Sequence, residues 1–460
     1  MSGRRIAIVG GGISGLTAAW QIAQLKNGCE VTLYEATERV GGTVETTRRD
    51  GFILEGGPDG WVSEKPWARD LACELGLESA LVGSLDAERV TYIVQGGNLV
   101  AMPDGMRMMV PTDLNALEGS SLFSDAARAA YAAEAGRADA LKQEAPQADE
   151  SVSDFVRRHF GEEVLTKIGG PLLSGVFGGD VAKLSVQAVM PKFVEMERTF
   201  GSLVTALAGK AGSSSGSIFT SLTGGTQMLI ERMTQGIPAP WLRLQTAVTK
   251  LKRVGHSWQV NVQGYGGPDE KQFFDEVLLA VPGHVAKRLL MPTSPRMAEL
   301  TEMESSSAVL ASLAFDQSFD LPRGFGFLVP EGEGSGLLAG TFVDQKFPGR
   351  VPSGMRLLRG FFGGTVAAGF AHKSDSEVAA RTLSELRNLL GAIPDPKFSV
   401  VRRWPRSLPQ YGIGHLERMG ELQTLAEQQK GLWLLGNAFC GVGLPDLIRD
   451  ARAAARSAAN

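Results

Sequence analysis

Gly10-Gly11-Gly12-Ile13-Ser14-Gly15 sits between an apolar run, Arg5 to Val9, and a helical pattern, Ile13 to Leu25. In a turn of this kind Gly10 permits the sharp reversal and Gly12 lets backbone approach a pyrophosphate. Gly15 lets helix and sheet pack closely. The helix that begins there offers free N–H groups and the positive end of its dipole to phosphates, so Gly11, Ile13 and Ser14 belong to the same cradle. A second strand is expected at Glu30 to Tyr34, where Val31 and Leu33 alternate. Strand, helix and strand make a βαβ unit, which implies a parallel sheet. Glu35 lies twenty residues past Gly15. A carboxylate at that strand end accepts hydrogen bonds from a ribose diol.

The remainder is mixed. Short strands are expected over 89–103, a mostly helical stretch over 112–205 and a flexible loop over 211–217. Strands return at 246–253, 258–263 and 276–280, and 308–365 alternates strand and turn. A helix is expected at 377–390. The end repeats the opening: a strand at 432–435, a glycine-rich turn, then a helix from 444 onward. The two ends are therefore expected to share one nucleotide-binding unit, with the middle inserted.

Composition narrows the function classes. Lys plus Arg is 46 and Asp plus Glu is 50, a net charge of −4. That gives no basic field and argues against nucleic-acid binding. The three cysteines, Cys29, Cys73 and Cys440, have no CxxC spacing, so free thiols in a reducing compartment are expected, and no metal site. The glycines after Val9 break the first apolar run, so it does not read as a signal peptide. No stretch reaches 18 consecutive apolar residues, so no bilayer span is expected, although a chain lying on a membrane would leave no such mark. No Ser/His/Asp or HxxEH spacing accompanies the five histidines, and no catalytic side chain is named.

Further segments carry a resemblance. Arg39, Gly41, Gly42 and Thr43 follow the ribose carboxylate, and Gly57-Pro58-Asp59 closes the loop begun at Glu55. Leu222 to Gln227 is a second glycine loop, and Gly436 to Leu444 a third. Together these resemble the amine-oxidase-like FAD superfamily. Ser174 to Asp180 with Lys183-Leu184-Ser185, Gly324 to Pro330, and Trp404 with Pro409-Gln410-Tyr411 and Gly414-His415 resemble its protoporphyrinogen oxidase family along essentially the whole chain. Pro445 and Leu447 depart from the residues frequent there.

The resemblance implies an α/β fold with α+β inserts. A Rossmann-like FAD-binding domain would comprise 1–85, 222–290 and 425–460. A β-rich substrate domain would comprise 86–103 and 291–424, and a helical, membrane-associating domain 104–221. It implies one non-covalent FAD per chain, held also by Val248, Trp404, Val442, Gly443 and Leu444. The implied reaction takes six electrons from protoporphyrinogen IX in three two-electron steps, with molecular oxygen as acceptor and hydrogen peroxide as by-product, in heme biosynthesis. The flavin carries the chemistry. Arg89 would hold a substrate carboxylate, with Gly175, Phe325, Leu328 and Phe342 against the ring. A cytoplasmic protein is implied, peripheral on the membrane face or free of it, with a homodimer left open. Three other readings stay open. One is a relative that uses coproporphyrinogen, with four carboxylates, and another is a different amine-oxidase-like flavoenzyme. The third is a non-enzymatic binding protein resembling the GDP-dissociation inhibitors.

Overall fold

The computed structural model describes residues 3–208, 216–439 and 441–460. Its central sheet has five parallel strands: β1 (Arg5–Val9), β2 (Glu30–Tyr34), β3 (Leu242–Arg243), β4 (Glu276–Leu279) and β5 (Leu432–Leu434), in the order β3-β2-β1-β4-β5. Residues from both ends of the chain and from its middle thus lie side by side. Ile6, Ala7 and Ile8 have no exposed surface, as expected for a strand covered on both faces.

Helix α1 (Ile13–Leu25) packs against α2 (Leu444–Ala459) on this sheet. Ala451, Ala455 and Ala458 of α2 are wholly buried, and their small side chains let the two backbones approach. Gly15 is required where α1 packs on the turn after β1, because a Cβ there would stand 1.9 Å from the Gly10 carbonyl oxygen. Gly10 itself turns at φ +103°, and a Cβ there would meet the Ala280 oxygen at 2.2 Å.

A second, seven-stranded sheet runs in the order Phe398–Pro409, Ser305–Phe315, Arg356–Gly363, Ala339–Phe342, Gly326–Leu328, Thr91–Gln95, Asn98–Ala101. The strand expected from 89 begins at Thr91, and Arg89 lies just after a short 3₁₀ turn. The helix expected at 377–390 spans Asp375–Leu390, because Ser374 and Glu377 form a capping box that starts it earlier. Residues 211–215 of the expected loop, and Cys440, lie outside the described residues.

The stretch 112–205 is largely helical, as expected. At its centre His159 is buried between two carboxylates: Nδ1 lies 2.8 Å from Glu134 Oε1 and Nε2 2.9 Å from Glu197 Oε1. Arg158 also pairs with Glu197. Burial opposes a proton on His159, but hydrogen bonds to Glu134 and Glu197 outweigh it and raise the imidazole above its usual 6.5. Both carboxyls are held below their usual 4.5, against burial, by those same bonds. The carboxylates stabilise the fold above pH 4.5, and that contribution is lost as pH falls through their lowered values. The histidine contribution is complete below pH 6.5 and is lost as pH rises through its raised value. The melting temperature is therefore expected to fall on both sides. His159→Gln should flatten the alkaline side, which thermal denaturation across pH checks.

Among the described residues no helix is long and apolar enough to cross a membrane.

Candidate cofactor and substrate site

A cavity of about 400 Å³ opens along the carboxyl ends of the central strands. Such crevices are the usual ligand sites of parallel α/β sheets. Gly10, Gly12, Ile13, Ser14, Glu35, Gly41, Gly42, Thr43, Val248 and Gly436, all expected to contact a cofactor, line it. Gly11 and Gly15 shape the turn behind that lining. Glu35 Oε2 accepts from the Gly11 N–H at 2.8 Å, and its Oε1 from the Thr37 N–H at 2.8 Å. The Gly41 N–H donates to the Gly11 carbonyl at 2.8 Å, so the two glycine loops lie edge to edge.

Both long helices of the central layer start at this cavity without a side-chain cap, α1 after Gly12 and α2 after Gly443. Their first N–H groups are therefore not taken up by an N-cap side chain; in α2 these are the N–H groups of Leu444 and Asp446, since Pro445 has none. A Cβ built on Gly12 meets nothing within 4 Å, so the space in front of that backbone is unfilled by protein.

The other expected cofactor residues stand around the lining. Arg39 turns into the chain: its guanidinium donates to the Gly42 carbonyl at 2.6 Å and to Glu45 at 3.1 Å, and lies 5.8 Å over the Trp404 ring. Trp404 Nε1 donates to the Gly56 carbonyl at 2.6 Å. Leu444 is buried in the helix–sheet core, and Val442 packs against the helical lobe. Gly57 passes Thr43 so closely that a Cβ would stand 1.9 Å from its carbonyl oxygen.

Beneath Gly57-Pro58-Asp59 lies a buried ionic network that the sequence did not reveal. Glu55 accepts from Arg350 at 2.9 Å, from the Thr226 N–H at 2.9 Å and from Thr46 Oγ1 at 2.7 Å. Lys346 reaches Asp59 at 2.8 Å and Arg359 donates to the Gly57 carbonyl. Burial favours the neutral Asp59 carboxyl, but Lys346, Arg359 and Arg350 hold it down at about 2. The loop is thus fixed by three cations against two carboxylates.

A second support lies under Gly436–Phe439. Buried His415 stacks on Tyr411 with ring centres 4.1 Å apart, and the Tyr411 hydroxyl donates to the Asn437 carbonyl at 2.5 Å. Burial, then the charge of Arg418, lowers His415 to about 4, so it is neutral near pH 7. Asn437 was legible as part of a motif. Ser305, Arg406, Ser407 and Arg288, which also line the cavity, carried no local signal.

The expected substrate residues fall into two groups. The Phe325 N–H donates to the Val90 carbonyl at 2.9 Å, which sets Arg89 one residue from that contact. Arg89 is exposed. Leu328, on the strand that continues from Phe325, meets Gly175 of the helix Gly170–Phe177. A Cβ on Gly175 would be 3.5 Å from Leu328, an ordinary contact, so the protein alone does not demand glycine there. Phe342 departs from its expected place at a cavity wall. It has no exposed surface and packs on Phe327 in the sheet core, because alternation along Ala339–Phe342 turns it inward.

A parallel sheet with a glycine cradle, two uncapped helix starts and a cavity-lining carboxylate at the end of β2 defines a dinucleotide-binding α/β protein. The family profile described as flavin containing amine oxidoreductase matches residues 13–460, and the chain belongs to that family. It is 31% identical over 470 residues to the coproporphyrinogen III oxidase of Bacillus subtilis (strain 168), covering 99% of this chain and 98% of that one. It is 28% identical over 483 residues to a chloroplastic protoporphyrinogen oxidase of Oryza sativa subsp. japonica, covering 96% and 86%. A crystal structure from Exiguobacterium sp. 255-15, of a protein provisionally named protoporphyrinogen oxidase, superposes with a TM-score of 0.86 at 30% identity, covering 100% and 99%. The cofactor is FAD, and the open space before Gly12 together with the two uncapped helix starts fits it.

Proposed function

We propose that this chain is an FAD-dependent oxidase that converts coproporphyrinogen III to coproporphyrin III, a step of heme formation. The end-to-end likeness to the Bacillus subtilis coproporphyrinogen III oxidase carries this reading. Protoporphyrinogen IX is the second reading, favoured by the rice relative and by the name of the Exiguobacterium protein.

The overall change removes six electrons and six protons from the macrocycle in three rounds, with three molecules of oxygen reduced to hydrogen peroxide. FAD, when bound, supplies the two-electron acceptor that each round needs. The chain's own residues position and exclude. The cradle at Gly10 to Ser14 and the uncapped start of α2 hold the cofactor's anionic and polar groups. The loop at Gly57 to Asp59, pinned by Arg350, Arg359 and Lys346, keeps its backbone fixed at the site. Gly175 and Leu328 offer a flat apolar approach between the helical lobe and the sheet. Arg89, whose planar fork suits a carboxylate, stands at the rim. No side chain is assigned as acid or base, and the macrocycle nitrogens relay protons by tautomerisation. The apolar ring of the substrate favours peripheral attachment of the helical lobe to a membrane.

Product fluorescence with each porphyrinogen, under oxygen, tests the substrate. Coproporphyrinogen III is expected to give the higher kcat/KM, and a higher value for protoporphyrinogen IX selects the second reading. Arg89→Ala should raise KM about tenfold with unchanged flavin content, the loss of one charge-assisted contact. An unchanged KM removes Arg89 from the site.

A further inference from the structure

The resemblance assigned one cation, Arg39, to the cofactor, yet its guanidinium is engaged by the Gly42 carbonyl and Glu45. Two other arginines line the same cavity, Arg288 and Arg406. Both are exposed at its mouth. Among the described residues neither lies within ion-pair distance of a carboxylate. The nearby acids are engaged elsewhere, Glu302 by Lys287 at 2.7 Å and Glu304 by Lys183 at 3.6 Å.

Arg406 is delivered to the cavity by a distortion of the second sheet. Ser306 pairs with Leu408 but Ala308 with Trp404, so Pro405, Arg406 and Ser407 oppose Ser307 alone. Bulges of this kind re-aim side chains beside functional sites. Arg406 adopts φ +49°, unfavourable for a residue that carries a Cβ, and its N–H is tied to Ser307 Oγ at 3.1 Å. Backbone strain of this sort persists where surrounding structure fixes it. Here the Asn437 side chain of the third glycine loop donates to the Ser407 carbonyl at 3.0 Å, tying the bulge to the cofactor cradle. Local charge agrees: burial, then Arg406 and Arg288, lowers His284 from its usual range.

An oxidised FAD concentrates its negative charge on the diphosphate, while its ring systems are neutral. We infer that Arg406 and Arg288 form a cationic clamp for the FAD diphosphate, in place of Arg39. The inference rests on FAD being the resident cofactor. It assigns these residues to cofactor retention and not to the substrate carboxylates.

The test follows release of FAD from diluted holoenzyme by the rise in flavin fluorescence, at low and high salt. Arg406→Ala is expected to raise the FAD Kd about tenfold, Arg288→Ala severalfold, and the pair more than either. Arg406→Lys should keep most of the affinity. The salt dependence seen in the parent should shrink in the alanine variants, a change that simple loosening of the fold would not give. The porphyrinogen KM, measured with FAD in excess, should stay unchanged. Unchanged FAD release in both alanine variants overturns the clamp. So does a raised porphyrinogen KM with normal FAD release, which would assign the pair to substrate carboxylates. A parent protein purified without any flavin would instead contradict the FAD assignment itself.

Discussion

Gly12→Val is expected to yield a folded, colourless protein. Gly12 adopts φ −70° and ψ −177°, a conformation open to any residue. A Cβ there meets no protein atom within 4 Å, so the fold is expected to survive, with about 1 kcal/mol lost because valine is a poorer N-cap of α1 than glycine. The valine methyls instead enter the space the cradle leaves before its N–H groups. A weakening of FAD binding by about 100-fold or more is expected, equivalent to ~2.8 kcal/mol. Gly15→Ala is the contrasting control. Its Cβ would collide with the Gly10 carbonyl oxygen, so it should lose fold and flavin together. Circular dichroism and the flavin absorbance of the two purified variants separate the cases. A yellow Gly12→Val protein would show that the cradle does not meet the cofactor.

Arg350→Ala is expected to destabilise the protein by about 3–5 kcal/mol, because it strands a buried carboxylate. Arg350 and Glu55 are 1% and 5% exposed, and their contact holds the start of the Glu55–Asp59 loop. The same guanidinium donates to Ser221 Oγ at 2.5 Å and to the Asp59 carbonyl at 3.4 Å, so three segments separate when it is lost. Removing both charges is gentler than removing one. Glu55→Gln combined with Arg350→Met should therefore recover part of the stability. Urea denaturation followed by tryptophan fluorescence reads both variants. A loss below about 1 kcal/mol for Arg350→Ala would mean that water reaches the pair.

The contrast between these two positions marks what a sequence discloses. The place of Gly12 at the cavity was legible because it is set locally: a turn, an exposed backbone and a helix start are encoded within six neighbouring residues. Glu35 was legible for the same reason, as a fixed distance along one βαβ unit. The sharing of one sheet by Arg5–Val9 and Leu432–Leu434 was foreshadowed by the repeated strand–turn–helix pattern at both ends. Arg350 gave no signal, since its partners Glu55 and Ser221 lie 295 and 129 residues away. Arg406 gave none either, because a bulge arises from the register between two strands. Phe342 shows the opposite failure: an aromatic in a strand can face core or cavity, and only the register of the strand decides.

Anaerobic mixing of the FAD-loaded protein with coproporphyrinogen III tests the central claim most directly. The flavin band at about 450 nm should bleach as coproporphyrin appears, and admitted oxygen should restore it. A flavin that stays oxidised in the presence of both coproporphyrinogen III and protoporphyrinogen IX would contradict the account.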